Sequence, residues 1–262
     1  MTAAPMWICL EGAANVRDVG GLPAGDAMVQ PGRLIRADNL QGLTPADVRE
    51  LVEARQVTTV ADLRTKVEVD SEGPGPLVVD GRVHVVNLSL FPEAGQNTDA
   101  AADAPVLLPW QERRARENFN RRSMAETYLR YLLDRPDSVV AALRLVAQSA
   151  GATIVHCAAG KDRTGVVIAM ALDEVGADRD AIVEDYTRTG ERLAAVLSRL
   201  ASSPTYAGDV DDSPADRHWP RAETLAGLFG LLDADYGGPG KWLRTNGWTD
   251  EDATALRGSL LG

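Results

Sequence analysis

The sequence reads IVHCAAGKDRTG from Ile154 to Gly165: a short β-branched run, a turn of small residues and the start of an apolar helical pattern. It therefore predicts a strand, a loop and a helix in direct succession. Cys157 and Arg163 bracket the loop, six residues apart. The small residues between them include Gly160, where a positive φ is expected, so successive backbone N–H groups can curl around one anion.

The same loop favours a reactive thiolate at Cys157. Backbone N–H groups, the positive end of the following helix and Arg163 all stabilise negative charge on the sulfur. A thiolate is a nucleophile, and the planar guanidinium of Arg163 can hold two oxygens of a phosphate group. These residues indicate nucleophilic chemistry on a phosphate ester. The predicted phosphate-binding residues are Ala158, Ala159, Gly160, Lys161, Asp162 and Arg163.

The form HCxxGKDRTG resembles the signature of the cysteine-dependent protein tyrosine phosphatases, and in particular their atypical bacterial branch. Two other strings resemble motifs of that branch: NVRDVGG from Asn15 to Gly21, and DLRTKVE from Asp62 to Glu68. The resemblance covers nearly the whole chain, and its sharpest part is the loop. It implies a metal-independent phosphatase without a cofactor, and no spacing of ligand residues suggests a metal site.

The resemblance also implies a displacement in two steps. Cys157 attacks phosphorus while an acid protonates the leaving oxygen, and water then hydrolyses the phosphocysteine with the same group acting as base. Arg163 and the loop amides carry the charge of the transition state. Thr164 is expected to donate its hydroxyl to the sulfur. His156 is expected to order the loop rather than to accept a proton.

The identity of the general acid is the open point of this mechanism. Common tyrosine phosphatases take an Asp from a W-P-D string, and none precedes the loop in this chain. Asp162, at the position that the atypical branch offers, is the first candidate, with Asp62 and Glu93 behind it. Asp62 has two other interpretations, a brace for Arg163 or an ordinary cap at a strand end. Lys161 adds a second cation, which suits a substrate with more than one negative charge.

The rest of the chain predicts an α/β fold, with a central, mainly parallel sheet flanked by helices. We expect residues 1–262 to form a single domain in which residues 177–262 are a helical portion. In the resembled family, such C-terminal helices partly cover the active site. Residues 91–110 lack periodicity and predict a mobile flap over the pocket. Arg17 and Asp18 either buttress the pocket or form a surface ion pair in a turn.

The composition argues against several classes of partner. A net charge of −11 over 262 residues disfavours nucleic acid and anionic membranes, both of which attract basic surfaces. No apolar run approaches membrane-spanning length, and the first residues lack the order of a signal peptide. A reactive thiol also requires a reducing compartment. We therefore expect a cytoplasmic protein, with leaderless export and the oligomeric state left open.

The predicted function is a cysteine phosphatase acting on phosphotyrosine, with phosphoserine, phosphothreonine or phosphoinositides as further substrates. One alternative is a phosphatase for a small molecule such as a nucleotide or a biosynthetic intermediate. Two others, from different classes, are a non-catalytic phosphate-binding module and a sulfurtransferase. A protein that only binds phosphate does not need a reactive thiol, so Cys157 argues against the binding module. The partner is accordingly a phosphorylated protein, lipid or small molecule.

Overall fold

The computed structural model describes residues 6–93, 123–207 and 218–262. Most of the predicted flap, from residue 94 to residue 110, lies outside these ranges. The strands are β1 (Met6–Trp7), β2 (Arg17–Asp18), β3 (Pro23–Ala24), β4 (Ala27–Met28), β5 (Leu34–Ala37), β6 (Val57–Asp62), β7 (His84–Asn87) and β8 (Ala152–His156).

Helices alternate with these strands and then dominate the second half of the chain. A π-helical turn (Glu50–Ala54) continues the first helix, and a 3-10 turn (Arg188–Arg192) joins the seventh to the eighth. The helices are α1 (Pro45–Arg49), α2 (Lys66–Glu72), α3 (Pro76–Asp80), α4 (Met124–Asp134), α5 (Pro136–Gln148), α6 (Asp162–Glu174), α7 (Arg179–Thr187), α8 (Leu193–Ser202), α9 (Ala222–Tyr236), α10 (Pro239–Thr245) and α11 (Asp250–Leu261).

One six-stranded sheet, in the order β1-β2-β5-β8-β6-β7, forms the centre of the fold. Strands β5, β8, β6 and β7 run parallel, whereas β1 and β2 pair antiparallel at one edge. In the middle, β8 places Ile154 opposite Ile35 of β5 and opposite Val60 of β6. The predicted fold class, a mainly parallel sheet flanked by helices, is confirmed.

Burial explains why β8 and α6 occupy the centre. Every residue of β8 is buried, as expected of a parallel strand covered on both faces. Helix α6 is also buried on almost all sides, which fits its run of apolar residues from Val166 to Leu172. The turn between β8 and α6 therefore lies at the carboxyl end of a central strand, where open α/β sheets bind ligands.

The C-terminal helices pack into the same core as the sheet. Leu225 of α9, Trp242 of α10 and Leu256 of α11 belong to one buried cluster with Val155 of β8. Helix α9 packs against α4, and α11 packs against α5. In the ranges that the structure describes, no helix combines the length and the apolar character needed to cross a membrane.

Candidate active site

The loop after β8 places the predicted nucleophile at the start of a helix. Cys157 follows β8 directly and is only 2% exposed. Helix α6 begins at Asp162, so Arg163 lies in its first turn. The N–H groups of that turn favour an anion beside Cys157. One loop thus brings together Cys157 and the predicted phosphate-binding residues Ala158, Ala159, Gly160, Lys161, Asp162 and Arg163.

Gly160 allows this loop to pass close to the end of β5. Its φ is +64°, which confirms the predicted positive value. A Cβ atom at this position would lie 2.5 Å from the carbonyl oxygen of Ala37. Any side chain would therefore add a clash to the strain of a left-handed backbone.

Two side chains hold the loop carbonyls from the buried side. Asn15 Nδ2 donates to the carbonyl oxygens of Ala159 and Gly160, at 3.1 Å each, and Arg36 Nη2 donates to Gly160 O at 2.9 Å. In a planar trans peptide the N–H points opposite to the C=O. The N–H groups of Gly160 and Lys161 are therefore directed away from Asn15, towards the side where a phosphate can bind.

A buried ion cluster fixes these two donors. Asp185 accepts from Arg17 Nε at 2.9 Å and from Arg36 Nη1 at 2.7 Å, while Arg17 Nη1 donates to Asn15 Oδ1 at 2.6 Å. Burial opposes the charge of Asp185, but Arg17 and Arg36 outweigh it and lower the pKa of the carboxyl group. Burial, together with Arg36, lowers the pKa of Arg17 to about 10. Arg17 is therefore a buttress of the loop, and its interpretation as a surface ion pair is wrong.

Asp18, the neighbour of Arg17, binds the turn that follows it rather than the loop. Its carboxylate accepts the N–H groups of Gly20 and Gly32. Burial raises the pKa of this carboxyl group. Asp18 shapes the turn of the NVRDVGG string rather than the loop itself.

Arg163 is clamped by Glu68, which lies in the first turn of α2. Nη1 and Nη2 of Arg163 donate to the two oxygens of Glu68 at 2.7 and 2.9 Å, and Nη1 also donates to Leu63 O at 3.3 Å. Burial opposes the charge of Glu68, but Arg163 outweighs it and lowers the pKa of Glu68. A guanidinium has five N–H groups, so these three bonds leave two for a phosphate. The ring of Phe91 lies 5.4 Å from Arg163 Cζ.

Asp62 has other partners, so its predicted role as a brace for Arg163 is wrong. Its oxygens accept from Arg64 Nε at 2.9 Å and Nη2 at 2.6 Å, and Arg64 Nη1 reaches Glu72 at 2.6 Å. Burial opposes the charge of Asp62, but His156 and Arg64 outweigh it and hold its pKa below the usual range. Asp62 is thus an ionised carboxylate locked to Arg64.

His156 lies between Asp62 and the loop. Its Nε2 is 3.6 Å from Asp62 Oδ1, and its Nδ1 is 3.4 Å from the carbonyl oxygen of Cys157. Burial lowers the pKa of the imidazole to about 4. His156 is therefore neutral at pH 7, which fits the expected ordering role.

Asp162 lies at the edge of the loop and is partly open to solvent. Its side chain is 27% exposed, and Oδ1 accepts the hydroxyl of Tyr128 at 2.6 Å. The ammonium of Lys161 is 3.5 Å from the same oxygen. Lys161 Nζ also donates to the carbonyl oxygen of His218 at 2.9 Å, which connects the loop to the segment before α9.

The structure also describes the surroundings of Glu93 and Thr164, two further residues that the sequence singled out. Glu93 Oε1 accepts the N–H of Lys66 at 2.8 Å, at the N-terminus of α2. Thr164 Oγ1 is buried without a hydrogen-bond partner among the residues that the structure describes, so its predicted bond to the sulfur is not formed there. Within the same residues, no group of three or more His, Cys, Asp or Glu side chains is arranged to hold a metal ion.

The segment after α8 lies near the start of the loop. Ser203 Oγ donates to Glu72 at 3.0 Å, and the buried Tyr206 lies near enough to Arg64 and Arg163 to feel their charge. A groove of about 590 Å³ is lined by this segment, by α8, by residues that follow β5 and by Ala158 of the loop.

Sequence reasoning missed several residues of this site, among them Glu68, Asp185 and Tyr128. It assigned no role to Glu68, although the string Thr65 to Glu68 has the spacing of a capping box, and Thr65 N does donate to Glu68 at 2.7 Å. That spacing places Glu68 at a helix start but does not reveal Arg163 as its partner. Asp185 and Tyr128 carry no local signal, because their partners are far away in the chain.

Comparison with known proteins agrees with this geometry. A model of the tyrosine phosphatase family matches residues 8–262. The triple specificity protein phosphatase PtpB of Mycobacterium tuberculosis is 30% identical over 279 residues, which cover 97% of this chain and 98% of that protein. A tyrosine-protein phosphatase of Nostoc commune is 26% identical over 229 residues, which cover 85% of this chain and 72% of that protein.

Among solved structures, TpbA of Pseudomonas aeruginosa matches with 17% identity and a TM-score of 0.31, over 77% of this chain and 89% of that chain. This likeness is too low to carry an argument. The family model, in contrast, spans nearly the whole chain, and PtpB aligns over almost its full length. The chain therefore belongs to the tyrosine phosphatase family and is a phosphoric monoester hydrolase of that family.

Proposed function

We propose that this protein hydrolyses phosphotyrosine, without a metal ion, through a phosphocysteine formed on Cys157. One observation carries the proposal: Cys157 lies at the start of a loop whose N–H groups point outward, next to an Arg163 that Glu68 holds with two hydrogen bonds. This arrangement can bind three phosphate oxygens and place phosphorus in front of the sulfur.

In the first step, Cys157 Sγ forms a bond to phosphorus as the bond from phosphorus to the tyrosyl oxygen breaks. The leaving oxygen takes the proton of Asp162, so tyrosine departs neutral and Asp162 becomes a carboxylate. The two remaining N–H groups of Arg163 and the loop amides stabilise the charge that the three equatorial oxygens carry.

In the second step, water attacks phosphorus and gives one proton to the carboxylate of Asp162. The bond from sulfur to phosphorus breaks, and Cys157 leaves as a thiolate. Phosphate is released, and Asp162 is protonated again for the next cycle. The enzyme thus returns to its starting state, and the ester bond to tyrosine has been replaced by a bond from phosphorus to the oxygen of water.

We assign the general acid to Asp162 rather than to Asp62 or Glu93. Asp62 is ionised and bound on both oxygens by Arg64, so it has no proton to give at pH 7. Glu93 binds the backbone N–H of Lys66 at the start of α2. Asp162 is partly exposed and directly precedes Arg163, which supports its access to the leaving oxygen.

The proposed substrate range extends to phosphoserine, phosphothreonine and phosphoinositides. The PtpB relative is called a triple specificity phosphatase, which supports a broad range. An ammonium has three N–H groups, and His218 O accepts one of those of Lys161. This second cation favours a substrate that carries an additional negative charge near its scissile phosphate.

We further propose that residues 1–262 act as one domain in a reducing compartment such as the cytoplasm. The shared core of the sheet and the C-terminal helices supports the single domain. The net charge of −11 supports a phosphorylated protein, lipid or small molecule as the partner rather than nucleic acid.

The test measures phosphate release in the presence of a chelator. The panel contains a phosphotyrosine peptide, a phosphoserine peptide, a phosphoinositide and a nucleotide monophosphate. We expect Cys157→Ser to abolish release and the phosphotyrosine peptide to have the highest kcat/KM. Turnover of the nucleotide alone would replace the proposal by a small-molecule phosphatase, and binding of phosphate without any turnover would replace it by a binding module.

A further inference from the structure

We propose that Tyr128, supported by Tyr186, positions the carboxyl group of Asp162 for proton transfer to the leaving oxygen. The inference rests on the proposed role of Asp162 as general acid. Tyr128 and Tyr186 are positioning residues in it, because they act through Asp162 and do not touch the substrate.

When Asp162 is ionised, the hydrogen-bond chain has only one consistent direction. The hydroxyl of Tyr128 is 2.6 Å from Asp162 Oδ1 and 2.8 Å from the hydroxyl of Tyr186. An ionised carboxylate only accepts, and a phenol has a single hydrogen to donate. Tyr128 must therefore give its hydrogen to Asp162, and Tyr186 must give its hydrogen to Tyr128.

Both phenols remain donors throughout the working range of the enzyme. Tyr128 and Tyr186 are 0% and 2% exposed. Burial, followed by the negative charge of Asp162, raises the pKa of both hydroxyl groups. Neither side chain loses its hydrogen at neutral pH, so both hydroxyl groups can donate in this direction whenever Asp162 is a carboxylate.

Charged and polar groups of several elements surround this carboxyl group. Oδ1 of Asp162 accepts from Tyr128 of α4 and has the ammonium of Lys161 at 3.5 Å. Burial, Asp162 and Arg36 of β5 all influence the pKa of Tyr186 of α7. The hydrogen of Tyr128 and the positive charge of Lys161 therefore act on the same oxygen of Asp162.

The fold holds this chain of hydroxyls rigidly. The rings of Tyr128 and Tyr186 meet edge to face, 6.3 Å apart at 84°. A Cβ atom at Gly165 would lie 2.9 Å from Tyr186 Cδ2. The last glycine of the KDRTG string thus makes room for the ring of Tyr186 against the first turn of α6.

The experiment compares Tyr128→Phe with wild type on p-nitrophenyl phosphate and on phenyl phosphate, whose leaving group needs the acid more. We expect kcat/KM for phenyl phosphate, which reports the first step, to fall about tenfold, the usual scale for one hydrogen bond to a charged group. We expect kcat/KM for p-nitrophenyl phosphate to change less than about twofold, which also shows that the variant is folded.

The pH profile distinguishes a positioning role from a purely structural one, because the loss of a structural contact alone would not shift it. The hydroxyl of Tyr128 favours the ionised form of Asp162, so its removal moves the descending limb of kcat/KM upward, by about one pH unit. Tyr186→Phe is expected to lower kcat/KM for phenyl phosphate and to move the descending limb in the same direction, but both effects should be smaller. Tyr236→Phe removes a hydroxyl from α9 as a matched control and is expected to behave as wild type.

Two outcomes would overturn the inference. Equal losses on both substrates with an unmoved pH profile would mean that Tyr128 only maintains the fold. Wild-type kinetics of Tyr128→Phe would mean that its hydrogen bond has no role. Asp162→Asn separates this inference from its premise. If that variant keeps the phenyl phosphate rate, the assignment of the acid fails as well; if it loses the rate while Tyr128→Phe does not, only the positioning role fails.

Discussion

Glu68 is the residue that orients Arg163: two parallel hydrogen bonds of 2.7 and 2.9 Å join the carboxylate to the guanidinium. The same carboxylate also accepts the N–H of Thr65 and thereby caps α2. One buried side chain thus connects a helix start to the phosphate-binding arginine. Such a planar pair fixes the orientation of the guanidinium, and an arginine without a carboxylate partner would lack that fixed orientation.

Replacing Glu68 by Gln should therefore affect both stability and activity. We expect the free energy of unfolding to fall by about 3 kcal/mol, because the variant leaves the buried Arg163 without its counter-charge. We expect kcat to fall about 10- to 100-fold as the guanidinium loses its orientation. Urea unfolding and steady-state kinetics measure the two effects.

Glu50→Gln is the matched control for that variant. Glu50 pairs with Arg55 at 2.9 Å, but the two side chains are 38% and 44% exposed. A pair in this setting contributes less than about 1 kcal/mol. Equal effects of the two substitutions would contradict the orienting role of Glu68.

Gly160→Ala tests whether the loop depends on its close approach to β5. The clash with Ala37 O adds to the left-handed strain, so we expect kcat/KM to fall about 100-fold. Gly176→Ala is the control, because Gly176 has a φ of +83° with no atom within 4 Å of the added Cβ. It should cost about 1 kcal/mol of stability and leave kcat/KM unchanged. Similar kinetics of the two variants would refute the steric argument.

Asn15→Ala removes the donor behind two loop carbonyls. We expect the inhibition constant of inorganic phosphate to rise about tenfold, since the amides of Gly160 and Lys161 lose their fixed direction. Asn246→Ala removes a similar bond, from Nδ2 to Trp242 O at 2.8 Å, in a different part of the chain. An unchanged inhibition constant in Asn15→Ala would show that the loop keeps its shape without this support.

The buried His156 should make stability depend on pH. Folding lowers its pKa from 6.5 to about 4, so the unfolded state binds the proton more readily. The stability is complete above about pH 6.5 and decreases as the pH falls towards 4. At pH 5 the loss relative to pH 7 should be about 2 kcal/mol from this group.

Urea unfolding at pH 7 and pH 5 measures that loss. His156→Asn should remove it, although the carboxylates, including the neighbouring Asp62, still titrate at lower pH. His84 is exposed on β7, so His84→Gln should keep the wild-type dependence. A full pH dependence in His156→Asn would assign the effect to other groups.

The local signals in the sequence predicted the fold class and the loop well. The run from Ile154 to Gly165 contains a strand, a turn and a helix start in direct succession. Small residues and a glycine permit the tight, left-handed backbone that this turn needs. The order strand, loop and helix, with Cys157 and Arg163 at its two ends, could therefore be predicted without knowledge of the remaining chain.

The supporting residues could not be predicted in the same way. Asp62 is the last residue of β6 and Glu68 follows six residues later, and spacing does not decide which carboxylate reaches Arg163. In the structure, Asp62 accepts from Arg64, whereas Glu68, in the first turn of α2, accepts from Arg163. Asp185 lies 168 residues from Arg17, and only the assembled fold brings the two together.

That separation also governs when the enzyme can become active during its synthesis. A ribosome releases Arg17 and Arg36 long before Asp185, so a nascent chain that ends before α7 carries both arginines without their shared counter-charge. Asn15 and Arg36, which hold the loop carbonyls, then lack the support of that cluster. We therefore expect a chain that ends before α7 to be inactive, and hydrolysis of the phosphate ester to begin only after α7 has folded onto the sheet.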